Sequence, residues 1–169
     1  MNTDLKRRNI PFSPPDMTDE EAREVRDAIM SGWITTGPRT KKLEKEVAVF
    51  VGVEKAVCLN SQTACAEIAL RLLGIGKGDE VILPAYTYTA SASIVEHVGA
   101  TLVFVDVQKD CLEMDYETME KSITPKTKAI IPVDLAGIPC DYDRIFSIIE
   151  RKKSLFTPKT DLQKKIGRI

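Results

Sequence analysis

Asn60-Ser-Gln-Thr-Ala64 follows the apolar run Lys55-Ala-Val-Cys-Leu59 and opens a stretch of helical periodicity. A junction of this kind holds anions. Helix N-termini leave backbone N–H groups without internal partners and carry about half a positive charge, so small polar residues just ahead of one form a phosphate cradle. Ser61 is placed to cap the helix, Thr63 and Ala64 to present their amides, and the Thr63 hydroxyl to stand beside them. Farther on, Glu80-Val-Ile-Leu-Pro84 delivers Ala85-Tyr-Thr-Tyr-Thr-Ala90 to what the pattern predicts is the same edge of a sheet. Phosphate donors and an aromatic platform would then face one another.

The elements that must position these residues read clearly. Thr18-Asp-Glu-Glu21 is a capping box opening a helix through Ala22, Val25, Ala28 and Ile29, which ends near Ser31-Gly32. The Gly32–Pro38 loop follows, and Pro38 suits the first turn of a second helix whose Leu43, Val47 and Phe50 share a face before Gly52. From Lys55 the texture alternates: strand 55–59, helix 62–73, strand 80–84, helix 87–98, strand 101–106, helix 115–123, strand 128–133 and helix 141–151. The strands are continuous apolar runs, as expected for an α/β fold whose mostly parallel sheet is covered by helices on both faces. Gly74 and Gly99 stand where helix C-caps belong, Gly76–Asp79 reads as a turn, and Asp141 as a helix cap. The organisation expected is a helical segment 1–54, a partial α/β domain 55–151, and a polar trailing segment 152–169 that returns no strand to the sheet.

Composition narrows the function. Of 169 residues, 24 are basic and 25 acidic, a formal charge of -1 that offers nothing to a nucleic-acid backbone or an anionic membrane. No apolar run reaches the roughly 20 residues of a membrane helix, and Met1–Pro15 is polar and Pro-rich, so a cytoplasmic protein is expected. Cys58, Cys65, Cys111 and Cys140 lack metal-ligand spacing and have only His97 to join them, so no metal site is expected and buried free thiols are the default. His97 sits where a helix dipole favours it, Asp106 and Asp134 close strands at the edge where α/β sheets place sites, and Tyr86 reads as a core aromatic.

These segments together resemble the DegT/DnrJ-type (StrS-like) nucleotide-sugar aminotransferases, pyridoxal-phosphate enzymes of the aspartate-aminotransferase fold (fold type I). The likeness rests on Gly37-Pro38 followed by a helix with Glu44, the Asn60–Ala64 turn, Gly78–Pro84 leading into Thr87–Ser91, Phe104-Val-Asp106, and Asp134–Asp141, in that order up to about Glu150. The resemblance implies an incomplete fold-type-I large domain in which Ser61, Thr63 and Ala64 bind the phosphate of pyridoxal 5'-phosphate and Tyr88 stacks on its ring. It implies that the Gly32–Gly37 loop, with Trp33, Thr35 and Gly37, lines the mouth for a nucleotide-sugar substrate, that an amino acid is the amino donor, and that the intact enzyme is a homodimer. Trp33 is as well suited to sealing a subunit contact as to touching substrate.

The family pattern also requires a later strand whose aspartate holds the pyridine nitrogen, then a Ser-x-x-x-x-Lys segment whose lysine forms the Schiff base. Neither precedes Ile169, so no catalytic residue is assigned and the chain is expected to be an N-terminal part that is inactive alone. Ser154-Leu-Phe-Thr-Pro-Lys159 has the lysine spacing but follows a charged helix and lacks the Gly-rich turn. Two alternatives stand beside the aminotransferase: a sugar dehydratase of the same family, and a noncatalytic dimerisation or regulatory module.

Overall fold

The computed structural model describes residues 9–169; the beginning of the 1–54 segment and of the Met1–Pro15 stretch lies outside the described residues. Two compact units divide the chain, meeting between Cys58 and Leu59.

The first unit is a helix pair. Helix α1, Asp19–Met30, starts on the expected capping box: the Glu20 N–H donates to the Thr18 hydroxyl at 3.2 Å, and the Thr18 N–H donates to the Glu21 carboxylate at 2.6 Å. Helix α2, Pro38–Val51, takes proline at its first position and stops at Gly52, whose φ of 71° only glycine adopts without cost. Of these helices only Ala48 is buried. Val25, Ile29 and Phe50, which share faces as the periodicity predicts, face outward instead of into a core.

Residues 55–59 form no strand. A strand exists only where a neighbour answers its N–H and C=O groups, and none runs beside this segment among the described residues. The Cys58 N–H donates instead to the Glu44 carboxylate at 3.1 Å, which holds that carboxyl below its usual range, with Lys41 adding to the effect.

The second unit is the α/β layer. Its elements run α3 (Gln62–Leu72), β1 (Glu80–Pro84), α4 (Thr89–His97), β2 (Thr101–Val105), α5 (Tyr116–Ser122), β3 (Thr127–Ile130), α6 (Tyr142–Lys152) and α7 (Asp161–Ile166). The strands pair in parallel in the order β2-β1-β3, with Glu80 opposite Thr101 on one side and Thr127 on the other. Neighbouring side chains of β1 feed opposite faces: Val81 packs with Leu70, Ile94 and Val95 of α3 and α4, and Ile82 with Met119, Ile145 and Ile148 of α5 and α6. Each such fully buried side chain contributes about 2 kcal/mol. The continuous apolar reading fits central β1, buried from Val81 to Pro84, but not β2, where Phe104 is exposed because an edge strand is covered on one side only.

Residues 152–169 do not trail. Leu155 and Ile169 pack on the α5–α6 core, Phe156 lies under the Lys128 ammonium at 5.3 Å, and α7 is capped by Thr160.

Candidate functional site

Helix α3 begins with an unfilled turn. Ser61 is its N-cap, and the Ser61 hydroxyl accepts the Ala64 N–H at 3.1 Å, so the amides left without a protein partner among the described residues are those of Gln62 and Thr63. No acidic side chain occupies the first turn to answer the helix dipole. This differs from α1, whose first turn carries Asp19, Glu20 and Glu21. Thr63 is half-buried.

Tyr88 is the N-cap residue of α4, which also lacks a side-chain cap and a first-turn acid. The residue is 80% exposed. Beside it the Thr87 and Ser91 hydroxyls lie 3.0 Å apart, a pair whose only trace in the sequence is the i,i+4 spacing of two hydroxyl residues across a helix start. Tyr86, expected in the core, is 58% exposed because β1 ends at Pro84 and the chain has already left the sheet.

Topology brings the two sets together. Helix α3 hands through the 73–79 turn to the start of β1, and α4 leads from the end of β1 to the start of β2, so both run against the strands. The pairing of the helices confirms it: the Arg71 guanidinium donates to the His97 carbonyl at 3.1 Å and to Glu67 at 2.7 Å, while His97 Nδ1 lies 2.8 Å from Glu67. The N-termini of α3 and α4, with Ser61, Thr63, Ala64 and Tyr88, therefore lie at the C-terminal edge of the sheet, where α/β folds place ligands.

Asp106 and Asp134 follow β2 and β3 at that edge. The Asp106 carboxylate accepts the Val107 N–H at 2.8 Å. Asp134 accepts the Cys140 N–H at 2.9 Å and the Tyr142 hydroxyl at 3.0 Å, bracing a turn in which Ala136 takes a φ of 55°. The Cys140 amide holds the Asp134 carboxyl below the usual carboxylate range, and burial pushes the Cys140 thiol up. Cys140 is the one buried cysteine; Cys65, in the first turn and a half of α3, is exposed. Asp141 caps α6 through the Arg144 N–H at 2.9 Å.

Lys159 stands at the other end of the sheet. Its ammonium pairs with the buried Asp79, the residue before β1, about 16 Å of strand away from Pro84.

Trp33, Thr35 and Gly37 belong to the first unit, where they line a cavity of about 520 Å³ with Ala28, Ile34 and Arg39. The Trp33 indole N–H donates to the Thr36 carbonyl at 3.2 Å, and the ring lies so close over Gly37 that a Cβ there would collide with it. Among the described residues no group of three or more His, Cys, Asp or Glu side chains is arranged to hold a metal, and no helix is long and apolar enough to cross a membrane.

Four known families or proteins resemble this chain. The profile of the DegT/DnrJ/EryC1/StrS aminotransferase family matches residues 15–156. Spore coat polysaccharide biosynthesis protein SpsC of Bacillus subtilis (strain 168) is 41% identical over 148 residues, covering 86% of this chain and 38% of its own. A Streptococcus pneumoniae protein described as a sugar aminotransferase, Spr1654, solved in apo, PMP and PLP forms, superposes with a TM-score of 0.92 at 57% identity, over 96% of this chain and 41% of its own. A GDP-4-keto-6-deoxymannose-3-dehydratase superposes at 0.77 with 28% identity, over 83% of this chain and 38% of its own. The chain spans about two fifths of the length of these relatives. Its parallel sheet layered by helices is the corresponding part of the fold-type-I aminotransferase architecture.

Proposed function

The chain belongs to the DegT/DnrJ/EryC1/StrS aminotransferase family, and from that premise we propose that it holds the phosphate and ring of pyridoxal 5'-phosphate in an enzyme that moves an amino group from glutamate or a similar donor to a nucleotide-linked keto-sugar. One observation carries the reading: the unfilled turn of α3 and the uncovered ring of Tyr88 share the C-terminal edge of the sheet. The residues suit the group. A phosphate needs amides and hydroxyls, supplied by Gln62, Thr63 and Ser61, with Ala64 closing the turn behind them. A flat, electron-poor ring needs an aromatic face, supplied by Tyr88. Bound there, the cofactor supplies an electron sink for cleavage at the α-carbon of the amino donor.

The chain's own residues orient and enclose. Ser61 fixes the direction of the amides, Tyr88 shields one face of the ring from water, and the Trp33, Thr35 and Gly37 cavity receives the sugar nucleotide. The exposed Trp33 and Tyr88 suit contact with a second copy in a homodimer. The pairing of Lys159 with Asp79, at the opposite end of the sheet from Tyr88, supports reading that lysine as structural and not as the one that bonds the cofactor. Amino transfer is preferred to dehydration because identity to Spr1654, described as a sugar aminotransferase, is 57%, against 28% to the dehydratase. Four free cysteines suit a reducing compartment such as the cytoplasm.

Titration with pyridoxamine phosphate, whose amine cannot condense with lysines, tests the reading. Saturable binding that inorganic phosphate competes away, and that Thr63→Ala and Tyr88→Ala both weaken, supports it. No saturable binding, or binding indifferent to both substitutions, overturns it.

A further inference from the structure

Far from the candidate site, at the N-terminal edge of the sheet, Gln163 is an uncharged polar side chain only 3% exposed. Its amide nitrogen donates to the Leu73 carbonyl, at the C-cap of α3, at 2.7 Å, and its amide oxygen accepts the Lys159 N–H at 2.7 Å. From Lys159 the connection continues through the ammonium to the Asp79 carboxylate, which also accepts the Gly76 N–H at 3.1 Å. The neighbouring Thr160 methyl fills the space over Gly74, where any Cβ would clash with it. The end of α3 and the start of β1 are thus fastened to one segment of chain, residues 159–163, which approaches from outside the 73–79 turn.

Helix α3 carries the phosphate-holding turn at its opposite end, and β1 leads out of the sheet at Pro84 to Tyr88, four residues on at the N-cap of α4. An α-helix is a stiff rod of about 1.5 Å per residue, and β1 is a central strand buried from Val81 to Pro84, so a change of angle at the shared base moves the tip of α3 relative to the end of β1, from which the chain reaches Tyr88. We propose that residues 159–163 form a bolt in which Gln163 is a positioning residue: by pinning the C-terminus of α3 against the start of β1, it sets the separation between the phosphate-holding turn at Gln62–Thr63 and the Tyr88 platform. The inference rests on the cofactor reading above. Its consequence is selective. A ligand that needs only the turn, inorganic phosphate, does not depend on the bolt, whereas one that must reach the turn and Tyr88 together, pyridoxamine phosphate, does.

Gln163→Met keeps the length and apolar stem of the side chain while leaving the Leu73 carbonyl unanswered, and Gln163→Glu restores the acceptor for the Lys159 amide but not the donor for Leu73. The full chain and both variants are titrated with pyridoxamine phosphate and, separately, inorganic phosphate, at a temperature where circular dichroism shows all three folded. The expected result is at least a fivefold loss of pyridoxamine phosphate affinity in both variants with less than a twofold change for inorganic phosphate. Equal losses for the two ligands would reduce Gln163 to a general stabilising role, and no loss for either would remove the bolt; both results overturn the proposal. If the unsubstituted chain binds phosphate but not pyridoxamine phosphate, the cofactor reading fails instead, and hydrogen exchange decides the bolt. It then stands only if amides along Gln62–Leu72 exchange faster in Gln163→Met while those of β2 do not, and falls if both are unchanged or rise together.

Discussion

The two ends of the parallel sheet are built on opposite terms. Where the strands begin, polar groups are matched to one another: Asp79 to Lys159 and the Gly76 amide, Gln163 to Leu73 and Lys159, and the Thr124 hydroxyl to Glu80 at 2.5 Å. Lys128, 5% exposed there, gives its ammonium to the Pro125 carbonyl at 2.7 Å, and burial lowers its pKa despite the opposing pull of Asp79. Where the strands finish, the amides of exposed Gln62 and half-buried Thr63 have no protein partner among the described residues, and Tyr88 stands open to solvent. An unmatched donor in water costs the fold little, whereas an unmatched donor in the interior costs about 1–3 kcal/mol. The contrast shows which polar groups the fold itself consumes and which it leaves available for a ligand.

Substitutions at the two ends therefore fail in different ways. The largest effect belongs to the matched end: Asp79→Ala strands the Gly76 amide and removes the partner of Lys159, and urea unfolding should show a loss of about 2–3 kcal/mol. At the open end Tyr88→Ala should leave the urea midpoint almost unchanged, within about 0.5 kcal/mol, while weakening pyridoxamine phosphate about tenfold, or about 1.4 kcal/mol. Thr63→Ala should cost about 1 kcal/mol of affinity for pyridoxamine phosphate and inorganic phosphate alike, since its hydroxyl serves the group the two ligands share. The smallest effect is acidic. Because the Cys140 amide binds the charged form of Asp134, its stabilisation is present above the unfolded aspartate pKa of about 3.9 and is lost as pH falls through the lower folded value. Unfolding midpoints measured from pH 7 downward should hold level and then drop, and Asp134→Asn should flatten part of that drop.

The alternation of helix and strand from Gln62 to Lys152 was legible because local patterns decide it: capping at Ser61 and Asp141, glycine after helices, and apolar runs in β1 and β3. Residues 55–59 misled because a strand is a property of two segments and the apolar run supplied only one. The tail from Lys152 misled in the other direction. Its docking depends on single side-chain contacts such as Gln163 to Leu73, 90 residues apart, which leave no periodic trace. At the candidate site, the turn at Ser61 and the position of Tyr88 could be read from residue types and order. That the Ala64 amide is engaged by Ser61, leaving Gln62 as the open donor, could not, because it depends on cap geometry and not on composition.

A crystal structure of the full chain with pyridoxamine phosphate tests the central claim most directly. The phosphate should lie against the Gln62 and Thr63 amides, with the ring on Tyr88. A ring bound elsewhere, or a phosphate seated at the turn with the ring pointing away from Tyr88, would contradict it.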